Sequence, residues 1–401
     1  MPGALDGIKV VDLTAVVLGP YATQMMADMG AEVIKIEPPV GDLLRNSGRG
    51  RSPKMGPIYL AANRNKRSLC LDLKKPEAIE VVKTLVRDAD VFIHNNRPQA
   101  IERLGLGYDA IKAVKPDIVY AYAHGYGRGG PYAEKPAFDD LVQGASGAAT
   151  LQSRVDGGPP RYMPSLIADK TTGLHLAIAV LGALMHRART GQGQCVEVPM
   201  YETLVSFWLT EHLFGETFDP PVGGMGYDRI INKYRHPFPT EDGYVCVLPY
   251  TDKHWSAFFT IVGRPELAGD QRFLQAEQRA RHYDELYQIL DQVMRGKTTV
   301  QWLPLLEAAD IPVMPVRELE DLLDDPHLKA VGFYEEREHP SEGRIRTMRN
   351  PIRFSDTPTQ YKRHAPKIGE QGAEILREAG FPQDKIDALA KAGALILPRP
   401  A

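Results

Sequence analysis

The first 125 residues alternate between two hydrophobic periods, and this alternation restricts the fold more than any other feature of the chain. "GIKVVDL" from Gly7 is a short apolar strand pattern. "GPYATQMMADMG" follows, with Pro20 in the first turn of a helix and Gly30 at its end. "AEVIKIE" and "RSLCLDL" repeat the strand pattern. "KPEAIEVVKTLVRDA" is an amphipathic helix, "DVFIHN" a strand, "QAIERLG" a helix and "DIVYAYAHGYG" a further strand. Strands that alternate with helices, each strand apolar along its whole length, predict an α/β fold. Its parallel sheet would carry helices on both faces.

The series continues past residue 160 with a long helix, the strand "QCVEVPM" from Gln194 and a helix from Tyr201. "PSLIADKTTGLHLAIAVLGALMHRARTGQGQ" carries one carboxylate, Asp169, ahead of a long segment without any acid. From Leu174 to Leu184 that segment is apolar nearly all round and reads as a buried helix. His186, Arg187 and Arg189 fall in its last turn, and Gly191 stops it. Asp169 has two readings. It is a helix N-cap, accepting a hydrogen bond from the first turn. Or it is a carboxylate kept ionised at a buried helix N-terminus, able to attack an electrophile.

Beyond Met200 the composition shifts. The large α/β domain is expected over 1–215, a Pro- and Gly-rich linker over 216–229 and a small α+β domain over 230–316. A returning segment over 317–401 follows. The three cysteines, Cys70, Cys195 and Cys246, lie far apart in apolar runs. They lack metal-ligand spacing and are expected to be small buried residues, with no metal site. The net charge of −3 gives no global attraction for nucleic acid or a membrane surface. No leader pattern opens the chain and no apolar run is expected to span a bilayer, so a cytoplasmic protein is expected.

Standard ligand motifs are missing. The turn after the first strand offers Gly19 alone, so the dinucleotide fingerprint is absent although Glu37 ends the second strand. There is no phosphate loop, zinc-binding helix pair or serine nucleophile elbow. What remains are cations at the ends of parallel strands: Arg45, Lys66, Arg67, Lys74, Lys75, Arg97 and Arg103. Each is either a solvated surface charge or part of a site for a phosphorylated ligand, since α/β sheets bind ligands at strand C-terminal ends. The "HGYGRGG" run at His124 is a plain loop or a close backbone approach to a ligand.

Several segments together resemble the family III CoA-transferases: "LDGIKVVDLTAVVLGPYATQMMADMGAEVIKIEPPVGD", "NRNKRSLCLDLKKPEA", "RPQAIERLGLGYDAI", "GASGAAT", "ADKTTGLHLAIAVLGALMHRARTGQGQCVEVPM", "DDPHLKAVGF" and "PKIGEQGAEILREAGF". The resemblance covers nearly the whole length. It implies a Rossmann-like large domain built from both chain ends, a smaller domain between, and an interlocked homodimer. It implies a CoA-transferase that uses CoA thioesters as substrates, with no permanently bound cofactor. Asp169 stands at the position of the family's nucleophile. Val16, Val17, Arg45, Leu71, Asp72, Leu73, Lys74, Asn95, Asn96, Arg97, Arg103, Pro136, Ala137, Phe138 and Asp139 fall where the family contacts CoA or lines the site. The partners implied are an acyl-CoA donor, succinyl-CoA by default, and a carboxylic acid acceptor. Arg235 and His236 are either surface residues or a site for a second carboxylate.

Departures from the family pattern narrow the chemistry. Formyl-CoA transferase carries Gln at Val17, Tyr at Phe138 and Glu at Asp139, and it has a glycine-rich loop missing near "YRHPFPTEDGYV". The racemase branch carries a His base at Phe138, and a phenyl ring moves no proton. A silent CoA-binding homologue is the remaining alternative, against which Asp169 argues.

Overall fold

The strands expected from the alternating pattern join one sheet. The computed structural model describes residues 2–398. It contains β1 (Lys9–Leu13), β2 (Glu32–Glu37), β3 (Lys66–Leu71), β4 (Val91–His94), β5 (Val119–His124), β6 (Cys195–Pro199), β7 (Phe238–Pro239), β8 (Tyr244–Val247), β9 (Val313–Pro315), β10 (Tyr334–His339), β11 (Gly343–Met348) and β12 (Leu395–Ile396). Seven of them form a sheet in the order β12-β3-β2-β1-β4-β5-β6. β1 to β6 pair in parallel, while β12 pairs antiparallel with β3. β3, β4 and β5 are buried at every residue, as apolar strands covered on both faces must be.

Strand order reverses between β1 and β4, where Asp12 lies beside both Lys35 of β2 and Ile93 of β4. That reversal opens a crevice at the carboxyl ends of the two strands. On one face the helix Leu18–Asp28 crosses the long helix Ile167–Thr190. A Cβ added at Gly173 would lie 2.6 Å from the Leu18 carbonyl oxygen, so glycine alone permits the approach. On the other face Val81, Val82 and Leu85 of helix Pro76–Arg87 pack with Leu69, Leu71 and Phe92. The same cluster takes in Ile375, Leu376, Ile386 and Leu395 from the far end of the chain. Both chain ends thus build one core, as expected.

The chain divides into two compact units. The first takes the segments up to Gly147, Tyr162–Phe207, and from Ala330 onward; the second takes Ala148–Arg161 and Trp208–Lys329. The second unit has a three-stranded antiparallel sheet, β7-β8-β9, over a core of Phe238, Val245, Phe258, Leu290 and Trp302. Residues 148–161 and 208–215, expected in the large domain, and 317–329, expected in the returning segment, group with this second unit. The stretch expected as a linker, 216–229, is a loop folded on itself. Val222 N–H donates to Gly215 O at 3.1 Å, and Gly226 N–H to His212 O at 2.8 Å.

Two further expectations are corrected. Cys70 is buried, but Cys195 and Cys246 are exposed. Cys195 opens an edge strand, and Cys246 falls on the outward face of β8, where side chains alternate. The helix Ile167–Thr190 is not buried all round: Leu174, Ile178 and Met185 are exposed. By length and composition it could cross a membrane, contrary to expectation, but half of its apolar window is packed inside the unit against β5, β6 and helix Leu18–Asp28.

Candidate active site

Asp169 is the third residue of its helix, which starts at Ile167 with Leu166 as N-cap. The cap expected of its side chain is therefore not made. Among the described residues its carboxylate accepts no hydrogen bond, although the residue is only 9% exposed. The neighbouring charge is Asp139, the first residue of helix Asp139–Ala145. Asp139 Oδ2 accepts from the Asp169 backbone N–H at 2.9 Å. Its Oδ1 accepts from Gln143 Nε2 at 2.6 Å. Gln143 is fully buried, and its Oε1 accepts from Met163 N–H at 2.8 Å. Asp139 and Gln143 thus stitch the approach to Asp169 onto a second helix.

The electrostatics follow from that packing. Burial, and then the Asp139 charge, push the Asp169 carboxyl up to about 7 from 3.8. The expectation that a helix N-terminus alone keeps it ionised is corrected: desolvation and a like charge outweigh the dipole here. In the first turn, Ile167 N–H donates to Ser165 O and Asp169 N–H to Asp139. The Ala168 N–H is left without a partner among the described residues, beside the free carboxylate.

Phe138 precedes Asp139 and is 62% exposed. Pro136 is exposed and Ala137 half-buried. A Cβ at Gly125 would lie 2.2 Å from the Ala137 Cβ, so the glycine after β5 lets this segment lie on the strand end. The "HGYGRGG" run is thereby explained by contacts within the chain. Its Gly127 N–H donates to Glu202 at 2.9 Å and its Arg128 N–H to Glu197 at 3.0 Å.

At the carboxyl ends of the strands lies a cavity of about 550 Å³, lined among others by Thr14, Ala15, Asp42, Leu71, Asp72, Leu73, Lys74 and Asn96. Five expected CoA-contact residues, Leu71 to Lys74 and Asn96, meet there. Lys74, Arg97 and Arg103 are exposed and make no ion pair among the described residues. Arg103 Nε donates only to Gln99 O, at 3.2 Å.

Other expected contacts are placed differently. Arg45 is 1% exposed and grips Glu37 with Nε and Nη2, both at 2.7 Å, with its guanidinium 3.8 Å above the Tyr59 ring. It is a core ion pair, because a guanidinium buried beside a carboxylate has no free donor face for a ligand. Lys66 is likewise buried, against Asp12 at 3.4 Å. Arg67 is held by Glu32, Glu374 and Glu378. Val17 packs into a cluster with Leu44, Met55, Tyr59 and Ala365, and Val16 lies against that cluster. Asn95 is turned to the backbone of Ala15. Arg235 and His236 are exposed in the second unit, with His236 3.8 Å from Asp291. Sequence reasoning missed Gln143 and Asp42. Gln143 stands four residues after Asp139, a same-face helical spacing that signals the pair.

Comparison with known proteins identifies the family. The family model described as CoA-transferase family III matches residues 5–372. A succinate–glutarate CoA-transferase of Agrobacterium fabrum is 32% identical over 93% of this chain and 95% of its own length. A formyl-CoA:oxalate CoA-transferase of Rhodopseudomonas palustris is 31% identical over 100% of this chain and 99% of its own. The crystal structure of a CaiB/BaiF family protein from Brucella suis has a TM-score of 0.79 at 30% identity, covering 94% of this chain and 100% of that one. The chain belongs to CoA-transferase family III and is a CoA-transferase.

Proposed function

We propose that the protein moves CoA from succinyl-CoA to a second carboxylic acid, with Asp169 as nucleophile. The observation that carries this reading is a buried carboxylate that accepts no hydrogen bond among the described residues, next in sequence to Ala168, whose N–H has no partner among them either, in the first turn of a helix. Asp169 attacks the thioester carbonyl carbon and the C–S bond breaks, giving a mixed anhydride and CoA thiolate. The thiolate attacks the Asp169 acyl carbon, releases the donor carboxylate and leaves an aspartyl-CoA thioester. The acceptor carboxylate attacks that same carbon and expels the thiolate. The thiolate then attacks the acceptor's carbonyl carbon, which forms the new CoA ester and returns Asp169 as a carboxylate. Splitting the transfer in this way replaces one hard step by several easier ones. The Ala168 N–H supports the oxyanions formed at these carbons.

The Agrobacterium relative's name supports a dicarboxylate donor and acceptor. The Rhodopseudomonas relative is nearly as similar, but the exposed Phe138 replaces the polar Tyr of formyl-CoA transferase, which favours the larger acid. The exposed apolar face of Leu174, Ile178 and Met185 supports a homodimer. The test is trapping. Incubation with succinyl-CoA and hydroxylamine should convert Asp169 to its hydroxamate, found by peptide mass spectrometry. Steady transfer to glutarate with no adduct at Asp169, or with full activity in Asp169→Asn, would overturn the proposal.

A further inference from the structure

Val16 adopts φ +68, the left-handed region, and it is the only β-branched residue with positive φ among the described residues. A β-branched side chain crowds its own backbone there. Such a conformation persists only where the surroundings over-determine it. Here they do. Asn95, just past the end of β4, accepts from Ala15 N–H with Oδ1 at 2.9 Å and donates to Ala15 O with Nδ2 at 2.7 Å. Asp42 Oδ1 accepts from Val16 N–H at 3.1 Å. Lys35 Nζ donates to Thr14 O at 2.8 Å and to Asp42 Oδ2 at 2.9 Å, tying both ends of the clamp together.

The clamped segment stands at the β1–β4 reversal, and Thr14 and Ala15 form part of the crevice wall opposite Asp72 and Lys74. We infer that Asn95 serves acyl-CoA binding as a positioning residue, through the backbone of Ala15 and Val16, and not by touching CoA. Its amide oxygen and one amide hydrogen are already engaged by Ala15, the two bonds a neighbouring strand would make. Without them the only β4-side bond to this segment among the described residues is Asn96 Nδ2 to Leu13 O, three residues before Val16, so Val16 can relax to negative φ and move the Thr14–Ala15 wall. This inference rests on the reading that the crevice holds CoA.

The test is a double-substitution rescue. Glycine takes positive φ without crowding, so Val16→Gly should keep the wall in place even when Asn95 is gone. CoA affinity would be measured by calorimetry, and KM and kcat by transfer assay, in wild type, Asn95→Ala, Val16→Gly and the double variant. Asn95→Ala should weaken CoA binding and raise KM about tenfold with kcat little changed. Val16→Gly is the background against which the rescue is read: removing Asn95 there should cost no more than about threefold. A loss on removing Asn95 that is as large in Val16→Gly as in wild type would mean that Asn95 contacts CoA itself, and would overturn the inference. So would an unaffected Asn95→Ala. A wild-type protein that binds no CoA would overturn the crevice reading as well, and is recognised before any variant is compared. Should Asn95→Ala not fold, Asn95→Asp keeps the acceptor, loses the donor and undergoes the same rescue.

Discussion

The backbone N–H of Asp169 donates to the carboxylate of Asp139 at 2.9 Å, so the carboxyl group proposed as nucleophile has a second carboxylate as its neighbour. This hydrogen bond fixes the first turn of the helix and holds the Asp139 carboxylate in place, whose charge adds to burial in raising the proton affinity of Asp169.

Its first consequence is a pH profile. Protonated Asp169 cannot attack, so kcat/KM for the acyl-CoA should rise about tenfold per pH unit at low pH and level off above about 7. Asp139→Asn keeps an oxygen for the Asp169 N–H and removes the like charge. The rising limb should move to lower pH. A limb that stays at the same pH would show that Asp139 does not set the titration of Asp169.

Stability should oppose function at the same residue. The Asp169 carboxyl binds its proton more tightly folded than unfolded, so stability falls as pH rises from 3.8 to about 7, and the penalty is complete above that. A difference of about three pH units corresponds to about 4 kcal/mol as an upper bound. Asp169→Asn should therefore abolish transfer yet raise Tm at pH 8, with little gain at pH 4. Thermal melts at the two pH values check this, and an equal gain at both would refute it.

Arg97 and Arg103 adjoin in sequence Asn96 and Leu104, which line the crevice, and are exposed cations outside any ion pair among the described residues. A charge-assisted bond to a CoA phosphate is worth about 1.5–3 kcal/mol, so Arg103→Ala should raise KM for the acyl-CoA by about one to two powers of ten. The phosphates are remote from the thioester, and kcat should change little. KM measured at moderate salt decides the matter; an unchanged value would make Arg103 an ordinary surface charge.

Arg45 should behave in the opposite way. Its guanidinium is buried against Glu37, and Arg45→Ala leaves that carboxylate buried without its partner. Loss of one member of a buried pair costs about 3–5 kcal/mol. Denaturant unfolding should register this loss, while the protein that remains folded should keep its KM for acyl-CoA. A raised KM at unchanged stability would restore Arg45 to the ligand site.

Much of the sheet was legible in the sequence, because periods of two and of about 3.6 record which side chains must face a core. The apolar patterns around Val10, Val33, Leu69, Phe92, Tyr120 and Val196 named the six parallel strands in order. Asp169 was legible as an isolated carboxylate, and its family position as a nucleophile came from resemblance. The burial of Arg45, Lys66 and Arg67 was not legible, since an Arg after a strand looks the same in sequence whether its partner is solvent or Glu37. The helix Ile167–Thr190 showed why hydropathy alone misleads: its apolar residues go all round, but Leu176, Val180 and Ala183 are buried while Leu174, Ile178 and Met185 are exposed.

The sequence by itself determined the class of fold, because hydrophobic period is local and burial enforces it all along the chain. Only the tertiary structure decided the proton affinity of Asp169 and the conformation of Val16. Those depend on Asp139 thirty residues away and on Asn95 nearly eighty residues away. Electrostatic and hydrogen-bond energies fall off with distance in space, and distance along the chain does not report it.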